Sequence, residues 1–130
     1  MKLNSEQQKL FNFGIELYEL YEREELQNSN PFFATTRMQL YKSVLSLAVS
    51  YEVLSEEAIL RYKELSDYEE LLSSLSKDHP ARFYYNYIQN LSPGMKMSIK
   101  IDFKIIMQRF WKLIQEVLER KESYKGSKDE

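Results

Sequence analysis

The segment from residue 36 to residue 54 constrains the fold more than any other part of this sequence. Its apolar residues fall on nearly every side of a helical wheel, and Glu52 is the only charged residue between Val44 and Leu54. A helix that is apolar nearly all round has to be covered by protein on several sides. We therefore predict a central helix over 36–54. Four of its side chains are expected in the core: Val44, Leu47, Ala48 and Tyr51.

An amphipathic pattern predicts a helix over 6–27, before the central one. Its start fits a capping box formed by Ser5 and Gln8. Gly14 lies inside this helix and is interpreted as a tolerated glycine rather than as the mark of a close approach between helices. The apolar positions recur three and four residues apart and form one stripe: Leu10, Phe13, Leu17 and Leu20.

Polar residues at the connections predict where later helices begin. Ser55 is expected to cap a helix from Glu56, and Ser66 with Glu69 fits a second capping box. A further helix is expected after residue 78, with Asp78 as its N-cap and a proline in its first turn.

Two apolar residues and the only histidine lie in these connections. Phe32 and Phe33 follow the first helix and are expected to fold back onto the core. His79 is expected at the surface near a helix start, because no nucleophile or orienting group accompanies it.

Residues 82–105 allow two structures. Strict alternation of apolar and polar residues over 95–105 is typical of a strand, which would pair with 82–88 in a hairpin. Alternatively, Ser92 and Pro93 start a helix that continues into the C-terminal helix. We favour the helix because an isolated hairpin is marginally stable and no third strand is indicated. Three apolar residues then lie on the polar side of the wheel, so we expect the helix either to begin near 102 or to be covered on two sides there: Met97, Ile101 and Ile105.

The patterns together predict a single all-α bundle of four to six helices with a long C-terminal helix. This domain is expected to span 1–122, followed by a polar, frayed tail over 123–130. The alternative is an α+β fold with the β-hairpin at about 82–105.

Composition excludes many kinds of enzyme. The 130 residues include no cysteine, one histidine and three dispersed glycines, so thiolate metal sites, multi-histidine sites and glycine-rich phosphate loops are excluded. We therefore expect a non-enzymatic protein with no catalytic residue, no metal and no cofactor. The remaining enzyme hypothesis, a magnesium-dependent all-α nucleotide hydrolase, depends on two weakly matched carboxylate pairs: Glu16 with Glu19, and Glu64 with Asp67.

The favoured function is a helical protein–protein interaction module, such as a small adaptor or inhibitor subunit. Aromatic residues make up 14% of the chain, more than one small core requires, and tyrosine is favoured at interfaces. The C-terminal helix also has an apolar arc wider than the about 100° that a helix facing one core needs. We expect this arc to bind a protein partner of unknown identity, or a second copy in a homodimer. The candidate interface residues are Met107, Phe110, Trp111, Ile114 and Leu118. The alternative is that aromatic residues at 32, 33 and 83–88 cover the arc within one chain.

The rival function is a small helical subunit of a ribonucleoprotein complex that binds nucleic acid through the segment 96–112. Cations would contact phosphates, and the rings of Tyr84, Tyr85, Tyr87 and Trp111 would stack on bases. A net charge of −2 gives no general attraction to nucleic acid, so this hypothesis is less favoured. The candidate basic patch is Lys96, Lys100, Lys104, Arg109 and Lys112.

Charge is divided unevenly along the chain. Residues 1–70 contain 7 Lys and Arg against 13 Asp and Glu, whereas residues 71–130 contain 11 against 7. No stretch reaches the about 18–20 apolar residues of a transmembrane helix, and the N-terminus has no apolar signal segment. We therefore expect a cytoplasmic protein with no membrane partner.

Overall fold

The computed structural model describes residues 2–25, 31–50, 61, 62 and 64–128, and of these the side chains of 25, 31, 32 and 122–128 are left aside. Over these ranges the chain forms five helices and no strand. The helices are α1 (Ser5–Glu25), α2 (Pro31–Ser50), α3 (Leu65–Ser73), α4 (Pro80–Gln89) and α5 (Pro93–Lys128). The all-α bundle with a long C-terminal helix is thus confirmed, and the hairpin over 82–105 is not formed.

Helix α5 begins where Ser92 and Pro93 predicted. The Ser92 carbonyl accepts the Lys96 N–H at 3.0 Å, and proline occupies the first helical position. The helix extends to Lys128 and so includes six residues of the segment 123–130, for which we expected a polar tail.

Three other helix starts differ from the sequence prediction by one or two residues. Helix α1 has its capping box at Asn4 and Gln7, whose side chains each accept the other's backbone N–H at 2.8 and 2.9 Å. Helix α4 is capped by His79 instead of Asp78. Helix α3 has Glu64 at its N-cap without a side-chain cap bond, so the predicted Ser66 box is absent. Several polar residues precede each helix, and the sequence alone does not select among them.

Helix α2 begins at Pro31, five residues earlier than predicted. Phe33 therefore lies in a helix instead of a connection, and it is 37% exposed instead of folded onto the core. The side chain of Phe32 is outside the described residues, as are Tyr51 and the helix that we predicted from Ser55 and Glu56.

Helix α2 is the centre of the bundle, as its composition predicts. It contacts α1, α4 and α5. Its residues from 40 to 49 are all buried except Lys42, and the core positions Val44, Leu47 and Ala48 are confirmed. Two serines in this stretch would be costly to bury without partners. Both have one: Ser46 Oγ donates to the Lys42 carbonyl at 2.8 Å, and Ser43 is bonded across helices.

The Ser43 hydroxyl joins three helices. It donates its single proton to the Ala81 carbonyl of α4 at 2.7 Å. The Tyr68 hydroxyl of α3, 2.6 Å away, must then be the donor to Ser43 Oγ. Burial raises the pKa of Tyr68, so this donor stays protonated well above neutral pH.

Gly14 marks a place where α1 lies very close to its neighbours. A Cβ atom built there would lie 2.7 Å from Leu45 Cδ2 and 3.2 Å from Val117 Cγ2. The Tyr41 hydroxyl donates to the Gly14 carbonyl at 2.9 Å. This glycine therefore permits close contact among α1, α2 and α5, and its interpretation as merely tolerated is wrong.

We predict that Gly14→Ala destabilises the protein. Overpacking a filled core costs about 1–3 kcal/mol, which exceeds the gain of up to about 1 kcal/mol that alanine brings to a helix. Urea unfolding should show a lower free energy of unfolding. Gly94→Ala is the matched control, because no atom lies within 4 Å of a Cβ at that position. Equal stabilisation by both substitutions would contradict the close approach at Gly14.

Candidate interaction surface

The residues predicted as an interface lie in the core of the chain. Met107, Phe110, Trp111 and Ile114 are buried, and Leu118 is half-buried. The rings of Tyr18 on α1 and Tyr41 on α2 pack on Phe110, with centroids 6.0 and 5.1 Å away. The apolar arc of α5 is wide because two helices cover it side by side. Trp111 is only 7% exposed, so it offers little surface to the homodimer that we predicted.

The opposite face of the first half of α5 carries exposed aliphatic side chains. Met97, Ile101 and Ile105 are 54%, 74% and 52% exposed. They are four residues apart, so they form a row about 12 Å long, which we call the α5 ridge. From the sequence we expected either a helix start near 102 or cover on two sides. Neither occurs, because the helix begins at Pro93 and these side chains face solvent.

The five residues of the predicted basic patch do not form one surface. Lys96 Nζ lies 3.1 Å from Glu69 Oε2, and both side chains are about one-third exposed. Lys100 and Lys104 are exposed along one flank of the α5 ridge and have no ion pair with another described residue. At 100° per residue, the exposed Arg109 lies on the opposite flank and the exposed Lys112 follows the ridge.

A cleft of about 320 Å³ continues the α5 ridge toward α3. Its α3 side is formed by Leu65, Ser66 and Glu69, and its α5 side includes Met97 and Lys100. Its lining is mixed, with the apolar Leu65 and Met97 beside the paired Lys96 and Glu69. Because Met97 belongs to both features, the cleft and the ridge form one surface.

The rings proposed to stack on bases are mostly in contact with protein. Trp111 is 7% exposed and Tyr85 is buried. Tyr84 stacks on Phe11, with centroids 5.7 Å apart and an interplanar angle of 15°. Tyr87 is half-buried. The structure thus separates the exposed cations from the rings that the nucleic-acid hypothesis needs beside them.

The carboxylate pairs are not assembled into a metal site. Glu16 and Glu19 are exposed on α1, and Glu64 and Asp67 are exposed at the start of α3. Among the described residues, no group of three or more histidine or carboxylate side chains is placed to hold a metal ion.

Helix α1 presents an acidic face that includes one exposed leucine. Glu16, Leu20 and Glu24 form a row four residues apart, with Glu19 beside it. Leu20 is 46% exposed, although its spacing placed it in the buried stripe. We call these four residues the α1 acidic face. The sequence signal for it was present in the glutamates of α1, of which Glu16 and Glu19 were interpreted only as a weakly matched carboxylate pair.

His79 is buried, contrary to the sequence prediction, and it caps the N-terminus of α4. Its Nδ1 atom accepts the Ala81 N–H at 3.0 Å, so the neutral ring carries its proton on Nε2. Nε2 lies 3.4 Å from Ser50 Oγ. Burial lowers the pKa of His79 from its ordinary value. The arrangement is that of a helix cap, and the Ser50 hydroxyl beside the ring donates its proton to the Leu47 carbonyl at 3.2 Å.

Comparisons with known proteins give no information about the function of this surface. No protein family matches the sequence, and no significant match exists among curated proteins or solved structures. We therefore infer function from the geometry of the described helices. None of those helices combines the length and apolar character needed to cross a bilayer.

We predict that His79 makes stability fall in mild acid. Its native pKa is below the ordinary 6.5, so the unfolded chain binds the proton first. The free energy of unfolding should therefore decrease as pH falls from about 7 to about 5.5, where most carboxylates stay ionised. Urea unfolding across this range measures the loss. In His79→Asn, an amide oxygen can cap α4 without titrating. The free energy of unfolding of this variant should therefore change less with pH over the same range. An unchanged slope in this variant would contradict the assignment.

Proposed function

We propose that this chain is a cytoplasmic, non-enzymatic protein-interaction module that binds its partner through the α5 ridge. The observation that carries the proposal is the row of three aliphatic side chains, each more than half exposed, on a helix whose other face is buried. Single exposed apolar residues are common on protein surfaces. An aligned row that continues into a cleft is an apolar patch of the kind that marks binding sites.

The shape of the α5 ridge suits a helical partner. Residues four apart form the ridges that pack into the grooves of a second helix, commonly at a crossing angle of about −50°. The cleft beside Met97 has a volume of about 320 Å³ and can accept a side chain of that partner. Helix-in-groove recognition of this kind depends on a few apolar anchors spaced along one face.

The exposed residues favour this function over the two rivals. Phosphate binding would use Lys100, Lys104, Arg109 and Lys112, but aliphatic side chains between them offer no face on which a base could stack. Magnesium-dependent hydrolysis would need the carboxylate pairs of α1 and α3 to meet, and the described residues form no such cluster.

We predict that a photo-crosslinking amino acid at position 101 captures a protein partner under native conditions. The matched control carries the same group at Gln115, which is exposed on α5 about 21 Å further along. Adducts should form from position 101, and Ile105→Ser in the same chain should reduce them. An adduct of about twice 15.6 kDa identifies a second copy as the partner. Equal yields from both positions, or none from either, would contradict the proposed function.

A further inference from the structure

Positive charge on the α5 ridge is concentrated on the flank next to the cleft. Lys100 and Lys104 are exposed there without an ion pair to another described residue, whereas Lys96 is paired with Glu69. Lys100 and Lys104 lie one helical turn apart, about 6 Å along the axis. A partner that covered the ridge would therefore bring its own charges against two ammonium groups, and carboxylates would be favoured there.

The α1 acidic face has the complementary arrangement. Leu20 is exposed between Glu16 and Glu24, so an apolar side chain is flanked by carboxylates in the same four-residue row. Glu19 adds a further exposed carboxylate beside it. The exposed Arg23 is the only cation in this stretch of α1, and the face keeps an excess of negative charge.

We infer that the occupant of the α5 ridge is the α1 acidic face of a second copy, so that copies associate head to tail. Leu20 of one copy packs on Met97 and Ile101 of the next, and its neighbouring glutamates approach Lys100 and Lys104. This inference rests on the proposed function, because it names the partner of the same ridge. The uneven charge of the chain, acidic in residues 1–70 and basic in residues 71–130, favours the same pairing.

A symmetric dimer of two antiparallel ridges is disfavoured by charge. In a two-fold arrangement of antiparallel helices, each flank meets the same flank of the other copy. Lys100 and Lys104 would then face their own equivalents, and like charges brought together oppose association. Two α1 acidic faces would repel each other for the same reason.

Head-to-tail contact has two physical consequences. A head-to-tail pair retains one free ridge on one copy and one free acidic face on the other, so the contact can repeat into an open chain or a ring. The exposed apolar side chains cover far less than the about 800 Å² per partner of a stable interface. The association is therefore weak, depends on protein concentration and decreases with ionic strength.

Two variants test the inference, each removing one side of the contact. Lys100→Glu/Lys104→Glu blocks the α5 ridge and leaves the α1 acidic face intact. Glu16→Gln/Leu20→Ser blocks the α1 acidic face and leaves the ridge intact. All four residues are exposed, and circular dichroism checks that the helices are retained. Lys2→Glu/Lys77→Glu is the matched control, since it changes the net charge as Lys100→Glu/Lys104→Glu does, at exposed positions outside both surfaces.

Sedimentation equilibrium of the purified chain gives the mass at each concentration. The natural chain and the control should rise above 15.6 kDa with concentration, whereas each blocked variant alone should associate at least tenfold more weakly. A one-to-one mixture of the two blocked variants has one intact contact, so it should form a dimer and nothing larger. This recovery on mixing is specific to a head-to-tail contact.

Two results would overturn the inference. If Glu16→Gln/Leu20→Ser associates as strongly as the natural chain, the α1 acidic face is not the occupant. If the natural chain stays at 15.6 kDa at every concentration, copies do not associate. Adducts from position 101 to a different protein would in that case keep the proposed function and reject only its assignment to a second copy.

Discussion

The close packing of α1 against α2 at Gly14 is the contact on which the rest of the bundle depends. With no side chain at this position, Leu45 and Val117 reach the backbone of α1, and the Tyr41 hydroxyl bonds to the Gly14 carbonyl. Helices α1 and α2 can then lie side by side on the second half of α5. Because they cover its wide apolar arc, the surface left for binding is the opposite face of α5.

The sequence predicted the centre of this fold better than its edges. Apolar residues on nearly every side of α2 have one physical explanation, burial on several sides, and the structure agrees. Gly14 could not be interpreted from the sequence, because a tolerated glycine and a glycine at a close contact look alike until the neighbour is known. The caps at Asn4 and His79 were missed since adjacent polar residues offer equivalent local geometry.

The candidate site was misplaced for a different reason. The helical wheel gave the width of the α5 apolar arc correctly. The number of helices that cover this arc depends on tertiary packing, which a local sequence pattern does not show. Conversely, Ile101 and Leu20 were assumed to need cover because they are apolar, and both are exposed. The row Met97–Ile101–Ile105 was visible in the sequence, and only the helical path of α5 shows that it faces away from the core.

The proposed function depends on α5 being helical through Met97, Ile101 and Ile105, with these side chains exposed to solvent. The chain has no cysteine, so single cysteines at positions 99 and 101 report accessibility without background. Ile99 is 5% exposed and Ile101 is 74% exposed. We expect Ile101→Cys to react with a maleimide nearly as fast as in the urea-unfolded chain, and Ile99→Cys to react about 100-fold more slowly or less, as a buried thiol does. Residues two apart share one face of a strand, so equal rates at the two positions would contradict the helix and the exposed ridge.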